Sequence, residues 1–139
     1  MPGRHNWLNV LAALATAEAM GVTMDKLIIG IENLTGLPHR CESVSQVGRL
    51  IAINDSKSTN PAYTVTAIEG FAESGRQMTL LLGGLGKGAD FTVLAPALQA
   101  HVAECYVYGK DRDLIAAQID FPAISLETLD DCMRAIALH

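Results

Sequence analysis

Aromatic residues are scarce in this chain: one Trp, three Tyr and three Phe among 139 residues. With half the residues hydrophobic, a core has to be built from Ala, Leu, Ile and Val. Cysteine is equally sparse. Cys41, Cys105 and Cys132 are scattered and form no C-x-x-C pair, which excludes a disulfide framework and a zinc-finger pattern and leaves reduced thiols as the expectation. No apolar run approaches the ~20 residues of a membrane-spanning helix. No basic-then-apolar leader opens the sequence. The expected setting is the cytoplasm, with no membrane partner. Positive charge is also short: the net charge is −5 and the pI about 5.2, which argues against a nucleic-acid partner. Small anionic ligands are not excluded, because local cations decide their binding. There is no low-complexity tract and no internal repeat.

What is present is an orderly alternation. Residues 6–20 carry Leu8, Leu11, Leu14 and Ala17 at helical spacing, with Gly21 as the stop. Residues 24–34 predict a second helix that buries Leu27, Ile28, Ile31 and Leu34. Gly36-Leu37-Pro38-His39-Arg40 is a break. Strands are expected over 41–47 and 49–53, joined by a turn near Gly48. A helix follows over 61–72, with Asn60 as N-cap, Pro61 at its first position and Gly75 beyond its end. The remainder predicts a strand over 78–82, a helix over 92–102 whose start Pro96 blurs, a strand over 104–108, a helix over 111–119 and a strand over 123–126. A last helix opens on Thr128-Leu129-Asp130-Asp131, a capping-box signature. Such alternation predicts an α/β fold with a mainly parallel sheet. A complete doubly wound unit would add a further strand after His139, and the opening helical pair has no sheet of its own, so the expectation is an excerpt of a longer protein.

Four segments hold more chemistry than turns require. In Asn54-Asp55-Ser56-Lys57-Ser58-Thr59-Asn60, polar groups crowd a strand-to-helix handover, where open α/β sheets bind ligands. An extended backbone would put Asp55, Lys57 and Thr59 on one side, across about 13 Å; a Ser/Thr or Asx turn is the plainer alternative. In Gly83-Gly84-Leu85-Gly86-Lys87-Gly88-Ala89-Asp90-Phe91, glycines permit close backbone approach and an anion-binding nest, and Lys87 adds charge. The loop fails as a Walker A motif, because Leu81 stands where the first glycine belongs and Gly88 replaces the magnesium-binding hydroxyl. Gly84-x-Gly86-x-x-Ala89, with Asp111 about twenty residues on, does scan as a dinucleotide fingerprint, so a non-catalytic dinucleotide-binding module is the alternative function. In Leu37-Pro38-His39-Arg40-Cys41-Glu42, the Arg40 fork suits phosphate or carboxylate, unless Arg40 merely pairs with Glu42. His39 reads as a hinge or packing residue. In Gly3-Arg4-His5-Asn6-Trp7-Leu8-Asn9, Asn6 and Asn9 share a helix face and could read an adenine edge, unless Asn6 simply caps the helix.

Together and in this order, the four segments resemble the C-terminal part of the Mur ligases, and among them the branch that adds D-glutamate. The resemblance runs over nearly the whole chain. It implies an ATP-dependent amide-forming enzyme of peptidoglycan synthesis, in which ATP phosphorylates the carboxylate of UDP-MurNAc-L-Ala and the amine of D-glutamate attacks the acyl phosphate. It places Asn6 and Asn9 at the adenine, Arg40 at the ATP phosphates and Asp55 at the ribose. Thr59 and Lys87 would hold the D-glutamate carboxylate, with Lys57 a neighbouring cation. It implies residues 1–36 as the helical end of a central ATPase domain and 37–139 as a three-layer Rossmann-like ligase domain truncated at its C-terminus. The family's P-loop, magnesium ligands and modified lysine belong to the central domain, and its Ser-Pro-rich loop would lie beyond His139. The expectation is therefore a fragment without catalytic residues or metal ligands of its own and inactive alone. ATP and Mg2+ would act in a complete enzyme that is monomeric and takes only small-molecule partners.

Overall fold

A computed structural model describes residues 4–34 and 36–138; Gly3, which opens the first motif, lies outside them. The chain divides into two compact units, residues 1–59 and 60–139.

The first unit holds α1 (Arg4–Ala19), α2 (Met24–Glu32), β1 (Glu42–Val47) and β2 (Leu50–Asn54). α1 runs into a turn at Gly21 and packs on α2. Of the four residues expected to be buried on α2, only Leu27 is; Ile28, Ile31 and Leu34 are exposed. The reason is geometric: two paired helices bury one seam, while a wide apolar face needs a further layer. β1 and β2 pair antiparallel through the two-residue turn Gly48–Arg49, Gly48 taking a positive φ of 58°. So short a connection cannot join parallel strands, which need a crossover of a dozen or more residues. The hairpin accordingly forms a two-stranded sheet of its own. Its register slips between Ser43 and Ser45, leaving Val44 as an extra residue.

The second unit runs α3 (Pro61–Ala72), β3 (Met78–Gly83), a 3-10 turn (Thr92–Leu94), α4 (Ala95–His101), β4 (Val102–Tyr108), α5 (Arg112–Gln118), β5 (Ala123–Leu126) and α6 (Leu129–Ile136). Asn60 caps α3 by accepting from Ala62 N at 2.9 Å, with Pro61 in the first turn. β3, β4 and β5 form a parallel sheet in that order. β4 is central and buried on both faces, as its run Cys105-Tyr106-Val107 demands. Cys105 and Val107 join a core with Ile68 of α3, Leu98 of α4 and Ile115 of α5, and with Leu94 and Ile119. Tyr106 faces the other way, and α6 covers that side, packing on all three strands with Cys132 fully buried. Helices thus lie on both faces, the three-layer arrangement expected. Each of Leu98 and Ile119, with no exposed surface, contributes about 1.5–3 kcal/mol of apolar burial.

Candidate functional site

The first unit concentrates its polar chemistry where the loop before β1 meets the loop after β2. His39 and Cys41 take left-handed backbone angles, φ 62° and 48°. For residues with a Cβ this costs about 1–2 kcal/mol each and persists only where neighbours enforce it. The neighbours are identifiable. Glu42 Oε2 accepts from His39 N at 2.8 Å, Asp55 Oδ1 accepts from Cys41 N at 3.0 Å, and Lys57 N donates to His39 O at 3.2 Å. Asn54 joins the two loops: its Oδ1 accepts from Ser56 N at 3.1 Å while its Nδ2 lies 2.8 Å from His39 Nδ1. A backbone N–H can only donate, which fixes the amide orientation and turns Nδ2 towards His39 Nδ1.

Arg40 sits between the two left-handed residues, exposed. The Arg40–Glu42 pair considered from sequence is not among the ion pairs of the described residues; Glu42 Oε2 accepts from the His39 amide instead. Asp55 is partly committed: the Cys41 thiol is also hydrogen-bonded to it, and burial, then the Asp55 charge, push that thiol up to about 12. A carboxylate has about four acceptor directions, so capacity for a ligand hydroxyl remains. The backbone after Asn54 is not extended. Ser58 N donates to Asp55 O at 2.8 Å and Thr59 N to Lys57 O at 3.0 Å, so Asp55, Lys57 and Thr59 sit on a turn rather than along a 13 Å edge. The Asx interaction of Asn54 with Ser56 turns the chain there. Asn6 and Asn9 both lie on α1; Asn6 is within the helix, which begins at Arg4, so it is not the cap. Asn6 lines a groove between α1 and α2 with Trp7, Val10, Ile31 and Leu34.

In the second unit, the loop from β3 places Lys87, exposed, at its tip with φ 49°. Ala89 N donates to Gly86 O at 2.8 Å, closing a four-residue turn whose central residues, Lys87 and Gly88, both have positive φ. A Cβ at Gly86 would stand 2.9 Å from the Phe91 ring, so the ring would have to shift. The dinucleotide fingerprint does not survive these contacts. Asp111, the acidic residue of that fingerprint, takes the Gly86 N–H on Oδ2 at 2.7 Å. An amide that a pyrophosphate would need is thereby occupied, and Ala89 N is spent on the turn. Asp90 accepts from Thr92 Oγ1 and N, at 2.6 and 3.0 Å, and these bonds hold its carboxyl below the usual range. Among the described residues no group of three or more His, Cys, Asp or Glu could hold a metal ion.

Sequence reasoning missed the bracing roles of Asn54, Glu42 and Gln118, and placed Asp111 only in the alternative dinucleotide fingerprint. Asn54 and Glu42 stand inside the motifs, which was the available signal. Gln118 left none.

The family described as Mur ligase, glutamate ligase domain matches residues 39–139. Among curated relatives, UDP-N-acetylmuramoylalanine--D-glutamate ligase of Dechloromonas aromatica is 39% identical over 98% of the chain, and that of Haemophilus influenzae strain Rd is 45% identical over 82%. The chain spans 30% and 26% of their respective lengths. Among solved structures, MurF from Acinetobacter baumannii covers 98% of the chain at a TM-score of 0.77 and 19% identity, the chain covering 31% of it. Folylpolyglutamate synthase from Thermotoga maritima covers all of it at 0.71 and 21%, the chain covering 34% of that protein. These two likenesses bear on the fold alone. With the family match running from the His39–Arg40 loop through the Lys87 loop to the end of the chain, this protein belongs to the Mur ligase family, by its glutamate ligase domain.

Proposed function

We propose that this chain is the C-terminal part of an ATP-dependent ligase that joins D-glutamate to UDP-N-acetylmuramoyl-L-alanine in peptidoglycan synthesis. The observation that carries the reading is the 38–45% identity to relatives named for that reaction, which for several of them extends over nearly the whole chain. In the complete enzyme the substrate carboxylate attacks the γ-phosphorus of ATP and ADP leaves. The D-glutamate amine then attacks the acyl carbon, phosphate departs with the C–O electron pair, and the amine loses a proton as the amide forms.

This chain's share is orientation and charge. Asn6 and Asn9 hold the adenine, Asp55 the ribose hydroxyls and Arg40 the phosphates. Thr59 and Lys87 hold the D-glutamate carboxylate, with Lys57 adding positive potential. Fixed cations aimed at a developing phosphoryl charge, and an amine held in line, are what such a domain has to supply. Mg2+ would neutralise phosphate charge in the complete enzyme. Residues 1–36 belong to the central ATPase domain and 37–139 to the ligase domain; the family match beginning at residue 39 supports that boundary. The enzyme works as a cytoplasmic monomer, in keeping with small-molecule substrates and with described helices too short or polar to cross a membrane.

Lys87→Ala in the complete ligase tests the assignment. A charge-assisted bond of roughly 1.5–3 kcal/mol is removed, so KM for D-glutamate rises at least about tenfold while KM for ATP moves less. A rise in KM for ATP with D-glutamate untouched would make Lys87 a phosphate ligand and refute the division of labour.

A further inference from the structure

We propose that Asp111 and Gln118 are positioning residues: together they clamp the 84–91 loop onto α5 and fix Lys87 at its tip. Asp111 occupies the N-cap position of α5, yet its side chain makes no capping bond to its own helix. It reaches across 25 residues to accept from Gly86 N at 2.7 Å. Gln118 Oε1 accepts from Phe91 N at 2.9 Å, 27 residues away in sequence. The two are seven positions apart, which is two helical turns, so they share one face of α5. One face of one helix therefore holds the loop at two points, Gly86 just before Lys87 and Phe91 where the loop ends.

Two further contacts complete the clamp. The Phe91 ring packs on the core and fills the space a Gly86 Cβ would take. Ala89 N closes the turn on Gly86 O at 2.8 Å. Lys87 is thus held in a left-handed conformation that a free lysine avoids. The bond from Gly86 is charge-assisted and short, the kind that restrains geometry rather than decorating it. α5 is itself secured: Ile115, midway between the two clamp residues, is buried in the core. The ammonium consequently stands on a rigid element, as a group that must orient a substrate should.

The consequence for catalysis rests on the proposed role of Lys87, whereas the clamp stands on geometry alone, and the experiment separates them. In this chain, amide exchange and 15N relaxation are measured for Gly86, Lys87 and Phe91, with β4 amides as the folding control. Asp111→Ala should speed Gly86 exchange at least about tenfold and lower the Lys87 order parameter with β4 shifts unchanged, since losing one such bond is worth a decade or more. Asp111→Asn, which keeps an acceptor oxygen, should restore most of both. Gln118→Ala should act at Phe91 first. Unchanged exchange and order at Gly86 and Lys87 in Asp111→Ala would overturn the clamp, as would loss of β4 protection in step with Gly86. In the complete ligase, Asp111→Ala should raise KM for D-glutamate at least about tenfold, with KM for ATP unmoved and Asp111→Asn rescuing it. If the wild-type enzyme ligates no D-glutamate while the Gly86 amide still responds to Asp111→Ala, the clamp holds and the proposed function fails.

Discussion

Residues 60–138 and residues 4–59 are of comparable chemistry but solve different physical problems. The later unit seals its central strand between helices, with Ile68, Leu94, Leu98, Cys105, Val107, Ile115 and Ile119 in one cluster. Among the described residues of the earlier unit, Leu27 and Cys41 are the buried hydrophobic ones, while Trp7, Leu8, Leu11, Ile28 and Ile29 stay exposed. Its order comes instead from hydrogen bonds: Glu42, Asn54 and Asp55 each brace a backbone or side-chain group of the His39–Cys41 loop. Net hydrogen bonds contribute about 0.5–1.5 kcal/mol each, far less than a packed core supplies. The lesson is that one unit carries stability and the other carries an array of polar groups held at modest free-energy cost.

That contrast predicts a large gap in local opening. Amides of β4 should exchange at least about a thousandfold more slowly than those of α1 and α2, because a difference of ~4 kcal/mol in opening free energy is three decades. Hydrogen exchange read by NMR checks this, and equal protection in both units would dissolve the comparison.

The cysteines sharpen it further. Cys41 and Cys105 are both buried, and burial raises both thiols from 9.0 to about 12. Intrinsic reactivity is therefore matched, and any difference in labelling reports the unit around each thiol. At pH 8, iodoacetamide should modify Cys41 tens of times faster than Cys105 or Cys132, as peptide mass spectrometry would show. Both thiols titrate above their unfolded value, so their contribution to stability is complete below about pH 9 and is lost as pH rises towards 12. An alkaline melt with its midpoint in that window tests the sign.

Side-chain truncation gives the next effect in size. Leu98→Ala should cost about 2–5 kcal/mol, by lost transfer free energy and a cavity. Leu11→Ala, at a residue 60% exposed, should change stability by less than ~0.5 kcal/mol. Urea titrations of the two variants decide between a single shared core and the two-unit division.

Legibility followed the same division. In residues 60–138 the periodicities, the Asn60–Pro61 start and the Thr128 capping box announced every α-helix and strand, because local propensity and tertiary packing agree there. Pro96 explains the one blurred start: the chain takes a 3-10 turn before α4 and strand β4 then begins at Val102, two residues before the expected Glu104. In residues 4–59 the two helices and the hairpin were also legible, but burial was not. Ile28, Ile31 and Leu34 repeat at core spacing without being buried. Of the candidate site, Arg40, Asp55 and Lys87 were found as chemistry-bearing residues in motifs. The bonds that orient their loops were not, since Asn54–His39 and Asp111–Gly86 join residues 15 and 25 apart, and no local rule encodes such pairs. Asp111 shows the hazard: spacing alone made it fit the alternative dinucleotide fingerprint, and the fold spends its carboxylate on a backbone amide.

The smallest test compares two threonines at equivalent positions. Thr128 is the N-cap of α6: its Oγ1 accepts from Asp131 N at 3.1 Å, and Asp131 Oδ2 accepts from Thr128 N at 3.1 Å, a reciprocal box. Thr23 is the N-cap of α2 but makes no side-chain cap bond. Removing the hydroxyl and methyl at Thr128 leaves helix N–H groups without their partner and should cost about 1 kcal/mol, within the 0.5–2 kcal/mol usual for such caps. Thr23→Ala deletes no bond and should shift stability by only a few tenths of a kcal/mol. Thermal melts followed by circular dichroism compare them directly. A larger loss at Thr23 than at Thr128 would show that the first unit depends on local helix signals more than its packing indicates, and would reverse the assignment of stability to the second.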